Sequence, residues 1–341
     1  IDDFVAYAKT LFENFGDKVK YWITLNEQNI FTSLGWLTAQ HPPGKFDDQK
    51  MFYQVNHHAF MAHAKTVLAY REMGGTGNIG ASFAYTPSYS LDCRPVNAMA
   101  KRNYDDLKNF WWMDIYAYGR YPAAAMAYLK KKGYAPEIQD GDMEILKKAA
   151  AQITFMGVNY YQSCVCEYNP MDGVTPYGTM NTSGVKGSAQ EVGIPGIYKN
   201  PANPYLMTTD WDWSIDPMGL QFCCREITSR YGLPVVISEN GLGAFDKKTE
   251  DGRIHDDYRI KYLEEHIKAL ALAVEEGCRV LAYCTWSFTD LLSWLNGYQK
   301  RYGFVYVDRE EEEGGSLERI KKDSYYWYQN VIKTNGKSIL E

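Results

Sequence analysis

The sequence predicts an α/β protein whose parallel sheet is of the (β/α)8, or TIM-barrel, kind, and three observations carry that prediction. Five short apolar segments with strand character are each parted from the next by at least one helix-patterned segment, as parallel β/α topology requires. Two of them, Tyr21-Trp-Ile-Thr-Leu-Asn-Glu27 and Leu233-Pro-Val-Val-Ile-Ser-Glu239, close on a glutamate. The carboxyl ends of barrel strands are where such folds keep their reactive groups. At 341 residues and 45% apolar content, the chain is also long enough for one barrel-sized domain with an ample core, so we read 1–341 as a single domain.

The elements follow in order. An opening helix is marked by Phe4, Ala8, Leu11, Phe12 and Phe15 at helical spacing, with Asp2 and Asp3 at its positive end and Gly16 as its stop. A strand at 21–26 leads to a helix over 51–73, which turns Phe52, Val55, Ala59, Ala62 and Ala69 inward. The second strand lies at 79–84, helices at 103–131 and 142–150, and the third strand at 153–160. A Gly/Pro-rich excursion over 173–204 follows; so long a loop in a compact domain usually carries a binding rim, with Cys164, Tyr168 and Met180 as rim candidates. A helix starts near Pro217, where proline suits an early helical position. A strand at 235–238, a helix at 256–276, a strand at 280–285, a charged turn at 309–315 and a helix at 321–332 complete the chain. A closed barrel of this kind takes eight strands and only five are found, while the chain opens inside a helix without a Met. The expectation is therefore an amino-terminal truncation, an incomplete barrel with two open edges.

Composition narrows the function. A net charge of -6 without a Lys/Arg-rich face argues against an electrostatic nucleic-acid binder. No apolar run approaches the roughly 20 residues of a membrane span and no leader opens the chain, so the expectation is a soluble, unsecreted protein. The seven cysteines are odd in number and lack zinc-type spacing, which suits reduced thiols in a cytoplasmic setting. His57, His58 and His63 share one amphipathic helix without a metal-ligand pattern, and packing or surface roles are expected of them. The 28 Tyr, 14 Phe and 9 Trp suit a carbohydrate cleft and an ordinary core equally.

Paired carboxylates at strand ends point to glycosidic bond cleavage. Hydrolysis with retention needs one protonated acid at the departing oxygen and one ionised carboxylate to attack the anomeric carbon. Glu27 and Glu239 suit those parts, although spacing alone does not say which does which. Asn26, next to Glu27, offers an amide for a sugar hydroxyl, and Asn240-Gly241 lets the chain turn away after Glu239.

Thr24-Leu-Asn-Glu27, Ile237-Ser-Glu-Asn-Gly241, Gly157-Val-Asn-Tyr-Tyr161 and Trp286-Ser-Phe-Thr-Asp290 resemble the successive signatures of family 1 glycoside hydrolases. The resemblance runs through the whole chain and enters at the helix before the fourth barrel strand, which implies about five of eight β/α units, strands 4 to 8. It implies that Glu27 is the acid/base and Glu239 the nucleophile. Asn26 and Asn159 then fall to substrate binding, Tyr161 donates its phenol to the nucleophile, and Trp286 floors the sugar ring. Family members place two further sugar contacts, a Gln and a His, on strands earlier than any found here.

Ser293-Trp-Leu-Asn-Gly-Tyr-Gln-Lys-Arg-Tyr302 narrows the substrate, since ordinary family 1 β-glucosidases carry Glu-Trp where this chain has Ser293-Trp294. Ser293, Lys300 and Tyr302 resemble the phosphate clamp of the 6-phospho-β-glycosidase branch, and an acid beside a sugar phosphate would repel it. Trp294 resembles the branch members that also accept 6-phosphogalactosides. The implied substrate is a small phosphorylated disaccharide or β-glycoside of the kind a sugar-importing phosphotransferase system delivers. No metal or organic cofactor is implied. Two alternatives remain: a glucosidase or galactosidase for unphosphorylated sugars, and a non-catalytic sugar-phosphate binder.

Overall fold

The computed structural model describes residues 1–171, 173–174, 180–311 and 314–340. The expected excursion over 173–204 and the charged turn over 309–315 thus fall partly outside the described residues. Five strands form one parallel sheet in chain order: β1 (Tyr21–Asn26), β2 (Asn78–Ala84), β3 (Met156–Tyr160), β4 (Val235–Asn240) and β5 (Val280–Thr285). Among the described residues β1 and β5 each pair with one neighbour only. Covered on both faces, the central strands read as continuous apolar runs, and all five residues of β3 are buried. The outer strands are half covered, leaving Tyr21, Ile23 and Leu281 exposed.

Register decides what meets what. Asn26 lies opposite Ser82, Ala84 opposite Asn159, and Asn159 opposite Glu239, so the carboxyl ends of β1 to β4 converge on one rim. The helices Asp2–Phe15, Gln49–Glu72, Phe110–Tyr118 and Pro217–Tyr231 pack the opposite layer, and a core containing Phe60, Trp111, Trp112, Val158, Tyr160 and Ile237 joins them to the sheet. His57 and His63 belong to this packing: His57 meets Tyr121 Oη at 2.7 Å and Asp142 at 2.9 Å, and His63 meets Thr24 Oγ1 at 2.6 Å.

Several elements differ from expectation for physical reasons. The helix Gln28–Trp36 was not expected, because Thr32, Ser33 and Gly35 are weak helix formers. Tertiary contacts hold it: Gln28 Nε2 donates to the Asn56 backbone and side-chain oxygens at 3.0 and 2.9 Å, and Tyr116 donates to Gln28 Oε1 at 2.7 Å. The 103–131 region divides into Pro95–Tyr104, a π-turn at Asp105–Asn109, Phe110–Tyr118 and Ala123–Lys132. Gly119, at φ 64°, ends the third piece. The 173–204 excursion carries its own antiparallel ribbon, Val192–Ile194 with Tyr198–Asn200.

Beyond β4 and β5 lies a closed set of buried charges. Lys322 bridges Asp246 and Asp290 (2.7 Å to the latter), Arg259 pairs with Asp246 and Asp256 at 3.0 and 2.5 Å, and Arg301 reaches Asp290 at 3.2 Å. Three carboxylates thus answer three cations. Asp290 also accepts from Gly303 N at 2.9 Å, and Arg259 donates to the Arg301 carbonyl at 2.9 Å, so the set pins the 290–303 segment to the helix Asp257–Glu275 that carries Arg259. Lys322→Ala leaves Asp246 to Arg259 and Asp290 to Arg301, with three buried carboxylates facing two cations, and should cost about 3–5 kcal/mol. Urea unfolding at neutral pH checks this; an unchanged midpoint would mean that the aspartates find other partners.

Candidate active site

Glu27 follows the last residue of β1 and precedes the helix Gln28–Trp36, in a left-handed conformation (φ 51°, ψ 48°). A non-glycine residue held there costs of order 1–3 kcal/mol and persists only where its surroundings dictate it. Here Glu27 N donates to the Ser82 carbonyl at 3.0 Å, and the Glu27 carbonyl starts the next helix through Ile30 and Phe31 N. The side chain is thereby turned over the strand ends instead of along the strand.

Glu239 sits within β4, opposite Asn159. Tyr161 Oη donates to its Oε2 at 2.6 Å, and Asn26 Nδ2 donates to its Oε1 at 3.3 Å. Asn159 ties the two glutamates together, because its amide donates to Glu27 Oε1 at 2.9 Å and to Asn26 Oδ1 at 3.0 Å. Its carbonyl accepts from Ser82 and Ser238 at 3.0 and 2.7 Å, which fixes the direction of the amide. Ser82 was missed from sequence, and Ser238, though inside the Ile237–Gly241 signature, was given no role there; both matter through register.

The carboxyls differ in acidity. Burial, then the charge of Glu239, pushes Glu27 up to about 7 against the partial relief of the Asn159 hydrogen bond. Burial also raises Glu239, but Tyr161, Asn26 and Asn159 all favour its ionised form. Donors thus favour the charged form of Glu239, while burial and the neighbouring charge favour the protonated form of Glu27.

A cavity of about 210 Å³ opens over this pair, and its walls include Glu27, Asn159, Tyr161, Glu239, Trp286, Ser293, Trp294 and Tyr302. Trp286 is drawn in by its amide, which donates to the Asn240 carbonyl at 2.8 Å. A Cβ at Gly241 would stand 1.9 Å from the Trp286 carbonyl, so this glycine serves close approach more than the turn expected of it. Of the rim candidates, Met180 lines the cavity, whereas Cys164 and Tyr168 are absent from its walls. Trp294 stays exposed and stacks on His41, centroids 4.6 Å apart, a partner not anticipated from sequence.

Ser293 opens a tight turn closed by Ser293 N to the Gly297 carbonyl and Gly297 N to the Ser293 carbonyl, both at 2.9 Å. The Ser293 hydroxyl lies beside the Tyr302 phenol, where its hydrogen bond offsets part of the upward shift that burial imposes on that phenol. Lys300 is placed differently: it is absent from the cavity wall, and its Nζ lies 3.5 Å from the ring centre of Trp213, which is on the wall. Trp211 and Trp213 were also missed, being remote from Lys300 in sequence. Among the described residues no group of three or more His, Cys, Asp or Glu could hold a metal ion.

A model described as glycosyl hydrolase family 1 matches residues 1–337. The aryl-phospho-beta-D-glucosidase BglC of Bacillus subtilis (strain 168) is 54% identical over 339 residues, covering 99% of this chain and 70% of that protein. The 6-phospho-beta-glucosidase AscB of Escherichia coli (strain K12) is 35% identical, covering 99% and 68%. The 6-phospho-beta-galactosidase of Clostridium acetobutylicum is 36% identical, covering 97% and 69%. Among solved structures, the family 1 b-glucosidase from Thermotoga maritima superposes with a TM-score of 0.83 at 32% identity, covering 98% of this chain and 68% of that one. These spans support a (β/α)8-type fold; they do not establish the amino-terminal truncation or the incomplete barrel expected from the sequence.

Proposed function

The chain belongs to glycosyl hydrolase family 1, and from that premise we propose that it hydrolyses the β-glycosidic bond of 6-phosphorylated glucosides with retention of configuration. One observation carries the reading: the carboxyl pair and the Ser293–Tyr302 pair share a single cavity. Glu239, kept ionised by Tyr161 and Asn26, attacks the anomeric carbon, and Glu27 protonates the departing oxygen. The resulting glycosyl-enzyme is then opened by water, from which Glu27 withdraws a proton. Asn26 and Asn159 orient the sugar hydroxyls, and Trp286 offers an indole face to the ring. Ser293 and Tyr302 present hydroxyls to the 6-phosphate, with the Lys300 charge one layer back across Trp213.

The reading extends to 6-phosphogalactosides through Trp294, and the galactosidase relative supports this. The cytoplasm is the proposed setting, supported by seven free thiols. No helix of the described residues is long and apolar enough to cross a membrane.

The test compares kcat/KM for aryl 6-phospho-β-glucosides, aryl 6-phospho-β-galactosides and their unphosphorylated parents. Turnover of the first should exceed that of the unphosphorylated parent by on the order of 10³-fold, the weight of a few charge-assisted hydrogen bonds; equal turnover would end the phosphate assignment. At saturating substrate, kcat should also fall as pH rises through about 7, because Glu27 then loses the proton it must donate. The basic limb is the informative one, as the substrate phosphate, with a second pKa of about 6, is already dianionic there. Glu27→Ala should remove that limb, and a limb that survives would assign the proton to another group.

A further inference from the structure

The buried cations Arg259, Arg301 and Lys322 are each paired with an aspartate. Lys300 has no carboxylate partner among the described residues. It is 1% exposed, and its Nζ stands 3.5, 4.9 and 5.5 Å from the ring centres of Trp213, Trp211 and Tyr302. Among the described residues no oxygen accepts a hydrogen bond from it. Gly243 completes the enclosure, since a Cβ there would come within 2.6 Å of Lys300 Cε. The groups facing Lys300 thus come from the 211–213 segment, the loop after β4 and its own segment, and none carries a charge. Tyr302, the titratable one among them, is held protonated by burial.

Ring faces attract a cation but do not replace a counter-ion, so burial weakens the hold of Lys300 on its proton and draws it down to about 7. An arriving dianion supplies the missing counter-charge. We propose that Lys300 is a proton-linked phosphate receptor, which takes up a proton from solvent as the sugar 6-phosphate docks and returns it when the phosphorylated sugar leaves. The inference rests on the phosphate reading of Ser293 and Tyr302 and adds to it a coupling: substrate affinity above neutrality depends on the pH at Lys300 as well as on the anion.

Calorimetry of glucose 6-phosphate binding at pH 8, in two buffers of different ionisation enthalpy, tests this. The ligand is fully dianionic there, so any proton taken up belongs to the protein. The expected result is uptake of about one proton per ligand and an affinity that falls nearly tenfold per pH unit above about 7. Lys300→Arg keeps a permanent charge and should bind with no uptake and a flat pH profile. Lys300→Met, whose thioether suits an aromatic enclosure, should fold, bind weakly and take up nothing. Tight binding by the natural chain without proton uptake overturns the proposal while leaving phosphate recognition standing. Equal affinity for glucose and glucose 6-phosphate overturns the phosphate reading itself.

Discussion

Glu239→Gly should lower kcat/KM for aryl 6-phospho-β-glucosides by on the order of 10⁴-fold or more, because it removes the atom that bonds to the anomeric carbon. The fold should survive: Glu239 accepts from Tyr161 and Asn26 but bears no core packing, and both donors can turn to the water that enters. The space left by the carboxylate is the diagnostic. Azide diffusing into it attacks the anomeric carbon from the face that Glu239 occupied while the aryl oxide departs, giving an α-glycosyl azide. Rescue with that inverted product identifies Glu239 as the nucleophile; rescue giving the β-azide, or none with a folded protein, would move the role elsewhere. Glu27 cannot substitute, since it lies on the leaving-group side in this reading, away from the face that Glu239 occupied.

Ser293→Glu has the second largest expected effect. Two unit charges about 4 Å apart at a protein surface repel by about 4 kcal/mol, and a phosphate carries close to two, so even partial screening leaves a loss of about 10² to 10³-fold in kcat/KM for phosphorylated substrates. The same change gives an unphosphorylated glucoside an acceptor near its 6-hydroxyl, so the ratio between the two substrates should shift further than either rate. The backbone bonds between Ser293 and Gly297 hold the turn whatever the side chain, so a fall in both substrates alike would indicate a damaged turn instead of altered selectivity.

Much of this site is legible in the sequence because the strands bring short motifs to one rim by register alone. Glu27, Asn159, Tyr161, Glu239 and Trp286 each sit at or just past a strand end, and the five strands in the sequence are the five of the sheet. Three features are not legible, for a common reason. The serines that aim Asn159, the tryptophans around Lys300 and the helix after Glu27 are set by contacts between segments far apart in the chain, and no local period reports them. The Lys300 case shows the limit well: the residue type and spacing suggest a phosphate ligand, but only the fold reveals that the ammonium is enclosed by rings. A Trp-x-Trp pair ahead of Pro217 was the available signal.

The six buried charges beyond β4 and β5 cancel one another, so they project almost no field into the cavity. A dianion nearing a chain of net charge -6 meets weak repulsion until it is within about a Debye length, roughly 8 Å at physiological salt. Capture is therefore not steered from afar. Preference for phosphorylated sugars then resides in how long a ligand dwells once seated, and raising ionic strength should leave its rate of arrival unchanged or slightly faster.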